Sequence, residues 1–391
     1  MGHESGMRMG VKPFAVACIF LLLVLKSYSI LISAQLEGMF QVTEEDNEVE
    51  VAYLEAGLEK FKVIINKNGG IAEVQVSNIP YTSVAGTQVW SLWEQTWNTD
   101  PMAPPVVVNK GDYVEARFYG KYRTAELYVK TNYTISKTGL ILVSSIIEAK
   151  RDEPLIMQTA WMVYFSTPIF ANEKAYIKFE KEVTEVQLPA SVTSGSFYGG
   201  QDVVYWVDFS KPTAGIAFIN MAPGSEDWYE TTVRDERQYG YHDVYSVYFA
   251  HTAYGEGAMS MGDKRVSKVA LYIHGQGGYE GNKEILDLIS DIASTSVECE
   301  KALKNVGENT EAGRLASQAM ENVNSGLEKL LKGDFEGSET DLGNAKKLLE
   351  EVKGIGGVFE KSLPAIVGVI VIVVIIVVIV TRRRKAKKTI S

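Results

Sequence analysis

The end of the chain restricts its architecture more than any other stretch. Leu363 to Val380 is an unbroken apolar run of 18 residues, rich in Ile and Val. Arg382, Arg383, Arg384, Lys385, Lys387 and Lys388 follow almost at once. At ~1.5 Å rise per residue the run spans roughly 27 Å as a helix, close to the hydrocarbon thickness of a bilayer. Buried strands rich in Val and Ile are about four to eight residues long, so a strand does not account for it. The sequence therefore predicts a transmembrane helix over 363–381, with the basic tail 382–391 on the cytoplasmic side. The N-terminus agrees. Arg8 and Lys12 precede an apolar segment from Phe14 to Leu25, and Ile32-Ser33-Ala34 forms a cleavage-like site before Gln35. That order is a secretory signal over 1–34, with an uncleaved N-terminal anchor as the alternative. Together the two ends predict a single-pass cell-membrane protein whose ectodomain lies outside the cell.

Charge and cysteine usage narrow the function classes. The chain holds 39 basic and 49 acidic residues. Setting aside Arg8, Lys12, Lys26, the six tail bases and Glu4 leaves 30 basic and 48 acidic residues in the outer part. A net charge of −18 there opposes nucleic-acid binding, which needs clustered Lys and Arg against phosphate. The basic tail suits anionic lipid headgroups. Cys18 lies in the signal segment, so Cys299 is the one cysteine left after cleavage, and no intrachain disulfide can form. The segment 35–362 must rest on its core, and it is long enough to bury a large one. Cys299 fits a buried free thiol in a helix, with pairing to a second copy as the alternative. Asn132-Tyr133-Thr134 is a glycosylation sequon, set inside an alternating strand pattern.

From about Glu48 to Tyr279 the pattern is β. Phe61, Val63 and Ile65 alternate with Lys62, Ile64 and Asn66, then Asn68-Gly69-Gly70 turns the chain into Ala72, Val74 and Val76. A second hairpin runs Leu127 to Ile135, Lys137-Thr138-Gly139, then Leu140 to Ala149. Further strands are expected at Met157–Phe165, Ala175–Phe179, Val203–Phe209, Gly215–Ile219, Val244–Ala250 and Val266–His274. The expected fold is mainly β: a large antiparallel β-sandwich over 35–281. Beyond about Gly281 the aromatics nearly vanish and apolar residues recur at helical spacing. Three stripes are visible: Ile285 to Val306, Leu315 to Leu330 and Leu342 to Val352. They predict a three-helix stalk or bundle over 282–353, open to self-association, and a Gly-containing joint over 354–362.

No metal or cofactor site is expected. His242, His251 and His274 show no ligand spacing, and there is no nucleophile elbow, P-loop or dinucleotide fingerprint. Aromatic residues are the distinctive feature. Trp90, Trp93 and Trp97 fall within eight residues, with Glu94 and Asp100 near. Asp227, Trp228 and Tyr229 precede Arg234 and Asp235 in an acid-rich segment read as a loop. An aromatic face suits the C–H face of a sugar, and Asp, Glu and Arg suit its hydroxyls. Trp90, Trp93, Trp97, Asp227, Trp228, Tyr229, Arg234 and Asp235 are therefore the candidate carbohydrate contacts, against the plainer reading of aromatics as sandwich core. A glycosidase needs two carboxylates at a set separation, and Glu94, Glu226, Asp227, Glu230 and Asp235 offer too many pairs to choose between; no catalytic residue is assigned.

The span from about Leu58 to Tyr279 resembles the galactose mutarotase-like supersandwich domains. The residues that carry this are Phe61-Lys62-Val63-Ile64-Ile65 turning at Gly69-Gly70 into Ile71-Ala72-Glu73-Val74, and the Tyr133-to-Leu140 hairpin. The resemblance implies a two-sheet sandwich and a link to carbohydrate. Mutarotase activity is not implied, because His242 in Tyr241-His242-Asp243 and His251 in Ala250-His251-Thr252 match neither family histidine motif. The layout of signal, β ectodomain, helical stalk and C-terminal anchor is also similar to that of archaeal surface proteins, including S-layer stalk subunits. Two function classes follow: a surface module that binds polysaccharide or a glycosylated envelope partner, and a structural envelope anchor without sugar binding. A surface glycoside-active enzyme is a third.

Overall fold

A computed structural model describes residues 38–91, 95–96, 99–123, 125–240, 242–306 and 310–355. The expected signal, joint, transmembrane helix and basic tail lie outside these residues. Among the described residues no helix is long and apolar enough to cross a membrane.

Two ten-stranded antiparallel sheets face each other. The first, sheet A, carries β1 (Met39–Glu44), β2 (Glu48–Glu55), β3 (Leu58–Asn66), β4 (Ile71–Val76), β5 (Ile79–Ser91), β12 (Ile156–Ser166), β19 (Val244–Ala250), β18 (Glu230–Asp235) and β15 (Ser196–Gly200), in that order, with β6 (Gln95–Thr96) beside β5. The second, sheet B, runs β14 (Val183–Gln187), β13 (Lys174–Lys178), β16 (Trp206–Ser210), β17 (Gly215–Asn220), β20 (Lys264–His274), β11 (Leu140–Ala149), β10 (Leu127–Ser136), β9 (Tyr113–Tyr122) and β7 (Thr99–Pro101), with β8 (Val106–Asn109) beside β9. This is the large two-sheet antiparallel sandwich that the sequence predicts.

Period-two alternation puts one face of each strand between the sheets. Phe61, Val63 and Ile65 of β3, Trp161, Val163 and Phe165 of β12 and Tyr245, Val247 and Phe249 of β19 meet Tyr133, Ile141, Phe209, Phe218 and Leu271 of sheet B in one continuous core. Both expected hairpins are present. Their turns need glycine: Gly69 (φ 90°) and Gly139 (φ 86°) take the left-handed conformation. A side chain on Gly139 would also collide with the Ile273 carbonyl.

The helical segment differs from the stalk expected. Among the described residues there are four α-helices: α1 (Thr167–Phe170), α2 (Gly278–Val306), α3 (Glu311–Lys332) and α4 over 335–355. Rather than standing off the sandwich, the last three form a third layer on the outer face of sheet B. Leu140, Trp206, Ala217, Ile219, Ala270 and Tyr272 of that face share a core with Tyr279, Leu286, Ile289, Ile292 and Cys299 of α2 and with Ala319, Val323 and Leu330 of α3. Tyr279 stacks on Tyr176 with ring centroids 4.1 Å apart. The Ser136 hydroxyl donates to the Leu331 carbonyl over 2.5 Å. The physical reason lies in β16 and β17, which are buried on both faces and would expose a large apolar surface without this cover. Thr310 caps α3 by accepting from the Gly313 N–H at 2.9 Å, and Gly333 (φ 82°) closes it. Cys299 is a buried free thiol on α2.

Candidate functional site

Sheet A has no helix layer among the described residues, yet the outward side chains of its central strands are largely buried. Ala160, Met162, Tyr164, Val244, Tyr248 and Ala250 form a cluster there, with Val84 and Trp90 packed against it. The strand register builds this face row by row. Gln88 of β5 lies opposite Ala160 of β12, Ala160 opposite Ala250 of β19, and Ala250 opposite Glu230 of β18. Two alanines thus separate two polar residues, which leaves a low row, a trough, across four strands; Gln88, Ala160 and Ala250 are almost fully buried, so the trough is covered rather than open. At about 4.8 Å per strand it is about 14 Å long. One wall carries Trp90 opposite Gln158. The other carries Met162, Tyr248 and Thr232 in register. The Trp90 and Tyr248 rings approach to 5.6 Å between centroids, so the half-buried indole leans across the trough toward the far wall.

Polar groups are arranged along it. Glu230 accepts from the Gln158 amide at 2.9 Å, and that amide also donates to the Thr252 carbonyl at 2.8 Å. The Arg234 guanidinium lies 5.0 Å from the Tyr239 ring centre and 5.3 Å from that of Tyr248. Its Nε donates to Glu236 at 2.7 Å, and the Ser246 hydroxyl donates to the same carboxylate oxygen at 2.5 Å. Burial works against the Arg234 charge, but the Glu236 hydrogen bond and charge outweigh it and raise its pKa. Burial likewise raises the Tyr248 phenol, which stays a hydrogen-bond donor at neutral pH. Gln88 is the anomaly. It is fully buried, and neither its carbonyl oxygen nor its amide nitrogen has a partner among the described residues. Each such unmade bond costs about 1–3 kcal/mol.

The other sequence candidates fall elsewhere. Trp93 and Trp97 lie outside the described residues. The segment read as an acid-rich loop is strand β18 from Glu230 onward, because Thr231, Val233 and Asp235 alternate inward. Arg234 and Asp235 therefore point to opposite faces. Asp235 is fully buried and bound to Arg237 at 2.8 Å, and it accepts the Thr193 N–H at 3.1 Å. Burial opposes its charge, yet those hydrogen bonds prevail and hold its carboxyl below the usual range. Arg237 in turn donates to the Pro189 and Ala190 carbonyls, so the pair ties a loop to the sandwich. Trp228 is half-buried against the inter-sheet core, and its Nε1 donates to Thr231 at 3.2 Å. The hollow beside it, shared with Asp227, Trp161 and His251, holds about 20 Å³, room for roughly one water. Asp227 is exposed; partial desolvation, and then Glu226 and Glu300 against Lys268, push its pKa up. The Tyr229 N–H donates to the Ala250 carbonyl at 2.8 Å, which ties this segment to β19. Asn132 is exposed on β10, facing the side of the helix layer. Of the sequence candidates, Trp90 and Arg234 share the outer face of sheet A.

Gln88, Gln158, Glu230 and Tyr248 escaped sequence reasoning as a group. They come from four strands spread over more than half the β region, and only the sheet order joins them. The period-two rule applied to Trp90 does point to Gln88 on the same face.

No family model matches the chain, and no curated protein matches it. Solved structures similar to it include the galactose 1-epimerase of Lactobacillus acidophilus, at 8% identity over 62% of this chain and 99% of that one, with a TM-score of 0.38. A GalM/aldose epimerase homologue from C. elegans has 7% identity over 61% of this chain and 100% of that one, with a TM-score of 0.30. The α-galactosidase AgaB of Geobacillus stearothermophilus has 9% identity over 66% of this chain, with a TM-score of 0.38, and the match spans 43% of that enzyme. Likenesses this low carry no argument about activity; the fold class rests on the two sheets and the site on the residues above.

Proposed function

We propose that the chain is a carbohydrate-binding module that takes a saccharide in the trough on the outer face of sheet A. Gln88 carries this reading. A buried amide whose polar atoms both lack a partner among the described residues is a standing cost, and a ligand that offers a hydroxyl or acetamido group to donor and acceptor together removes it. Trp90 and Tyr248 supply apolar ring surface, and Glu230, Gln158 and Arg234 supply hydroxyl partners. Binding without cleavage fits the carboxylates. Glu230 is held at the Gln158 end, and Glu236 is held at Ser246, four residues along β19 from Ala250. That places them on the order of 13 Å or more apart along the strands. Glycosidase pairs are about 5–9.5 Å apart.

The test is a glycan-array screen of the full chain with product analysis on every hit, repeated with Gln88→Leu and Trp90→Ala. Retention of intact sugar by the natural sequence and its loss in both variants is the expected result. Retention undiminished in both variants sinks the assignment, and cleaved products would revive the enzyme.

The cellular setting belongs to the same proposal. The apolar run 363–380, the basic tail and the signal-like N-terminus support a surface protein anchored in the cell membrane, with this trough presented outside to polysaccharide or an envelope glycoprotein. A structural envelope anchor is the second reading. It is favoured by the helix layer, whose α3 and α4 present long charged faces that could meet a second copy.

A further inference from the structure

A second opening lies at one end of the sandwich, away from the trough. It is a cleft of about 710 Å³ between the two sheets. Sheet A contributes Tyr53, Lys60, Phe61 and Tyr81; sheet B contributes Lys137 from the β10–β11 turn and His274 from the end of β20. We infer that this cleft binds an anionic sugar unit, one that carries a carboxylate or a phosphate, independently of the trough.

Three observations lead there. First, the outer part of the chain is strongly acidic, yet two ammonium groups converge on this opening from different sheets. Lys60 pairs with Glu55 at 2.8 Å and Lys137 with Asp112 at 2.5 Å. These side chains are between a third and about half exposed. Exposed pairs of this kind contribute about 0–1 kcal/mol, so a ligand anion can displace either carboxylate at little cost. Second, both lysines and both carboxylates act on one phenol, that of Tyr53. Burial comes first in holding that phenol protonated, so it remains a donor between two cations. Third, the half-buried Tyr53 ring lines the wall for a sugar ring, with Phe61 and Tyr81 buried behind it. Tyr53 stacks on Phe61 with centroids 5.7 Å apart, and Tyr81 meets Phe170 edge-on at 5.4 Å, which fixes both tyrosines in place. Behind sheet B, on its helix-covered face, the buried His274–Asp208 hydrogen bond of 2.8 Å ties the end of β20 to β16. A neutral, purely apolar guest would leave two ammonium groups desolvated at the mouth, whereas an anion replaces the water it displaces from them.

The test is titration calorimetry of the full chain with glucuronate, glucose 6-phosphate, glucose and inorganic phosphate. One of the two anionic sugars is expected to bind at least about tenfold more tightly than glucose and than phosphate alone, and which one does so identifies the anion. A Lys60→Ala/Lys137→Ala double variant should lose at least about tenfold in affinity for it. Glu55→Gln, which frees Lys60, should gain several-fold. Trp90→Ala should leave this binding unchanged, so failure here is distinguishable from failure of the trough. Four results would each overturn the inference: no anionic sugar bound, glucose bound equally, an unaltered double variant, or weaker binding by Glu55→Gln.

Discussion

His251 makes the stability of this protein depend on pH in a way the structure fixes. The imidazole is buried between the sheets. Its Nδ1 lies 2.9 Å from the Thr159 hydroxyl and 3.0 Å from the Thr159 carbonyl, and its Nε2 lies 2.9 Å from the Ser267 hydroxyl. Burial lowers its pKa from 6.5 to about 4, and Arg265 adds to the effect while backbone hydrogen bonds oppose it. In the unfolded chain it titrates near 6.5. Below that pH the unfolded chain binds a proton that the folded chain refuses. The stability due to a neutral His251 is therefore complete above pH 6.5 and is lost as pH falls toward 4, at up to about 1.4 kcal/mol per pH unit. At pH 4.5 the loss is about 2.5 kcal/mol. Urea unfolding at pH 7.5 and 4.5, on the natural sequence and on His251→Gln, isolates it. The variant removes the titration, so the drop between the two pH values should shrink by about 2.5 kcal/mol whatever its absolute stability. Equal drops, within about 0.5 kcal/mol, would refute the reasoning.

Other consequences are as direct. Cys299 is buried with its thiol pushed up to about 11, so iodoacetamide should leave it unmodified in native buffer and label it once denaturant is added; rapid native labelling would show that α2 does not lie on the sheet. Trp228→Ala removes a half-buried indole from the edge of the core and should cost roughly 2 kcal/mol, read as a fall of several degrees in Tm; a loss of saccharide retention at unchanged Tm would instead make Trp228 a ligand residue. Gly139→Ala places a side chain against the Ile273 carbonyl in a left-handed turn and should destabilise by more than about 1 kcal/mol in urea titration; a neutral result would mean the turn can adopt another geometry.

The sequence and the structure agree where one face of an element is buried and the other is wet. The hairpins around Gly69 and Gly139 and the apolar stripe of α3 were legible for that reason. They part where burial is two-sided. β16 and β17 lack a polar face, so nothing in their pattern reveals that helices cover them, and the helical segment reads as a separate stalk. The charges of 226–237 suggest a solvent-facing loop as one alternative, yet Glu230–Asp235 is strand β18. In the sheet, Arg234 lies outward on aromatic rings and Asp235 turns inward to Arg237. Of the trough, Trp90, Arg234 and Glu230 are visible in the sequence, since aromatic and charged residues draw notice singly. Its alanine floor and Gln88 acquire meaning only from the pairing of β5, β12, β19 and β18.

The most direct test of the central claim measures stability and saccharide retention together in Gln88→Leu. The variant deletes two buried polar atoms that have no partner among the described residues and keeps the side chain close in size. The account predicts a protein at least as stable as the natural one, by up to a few kcal/mol, that no longer retains the saccharide. A less stable variant that still binds would show that Gln88 is satisfied within the fold, and would contradict the trough as the binding site.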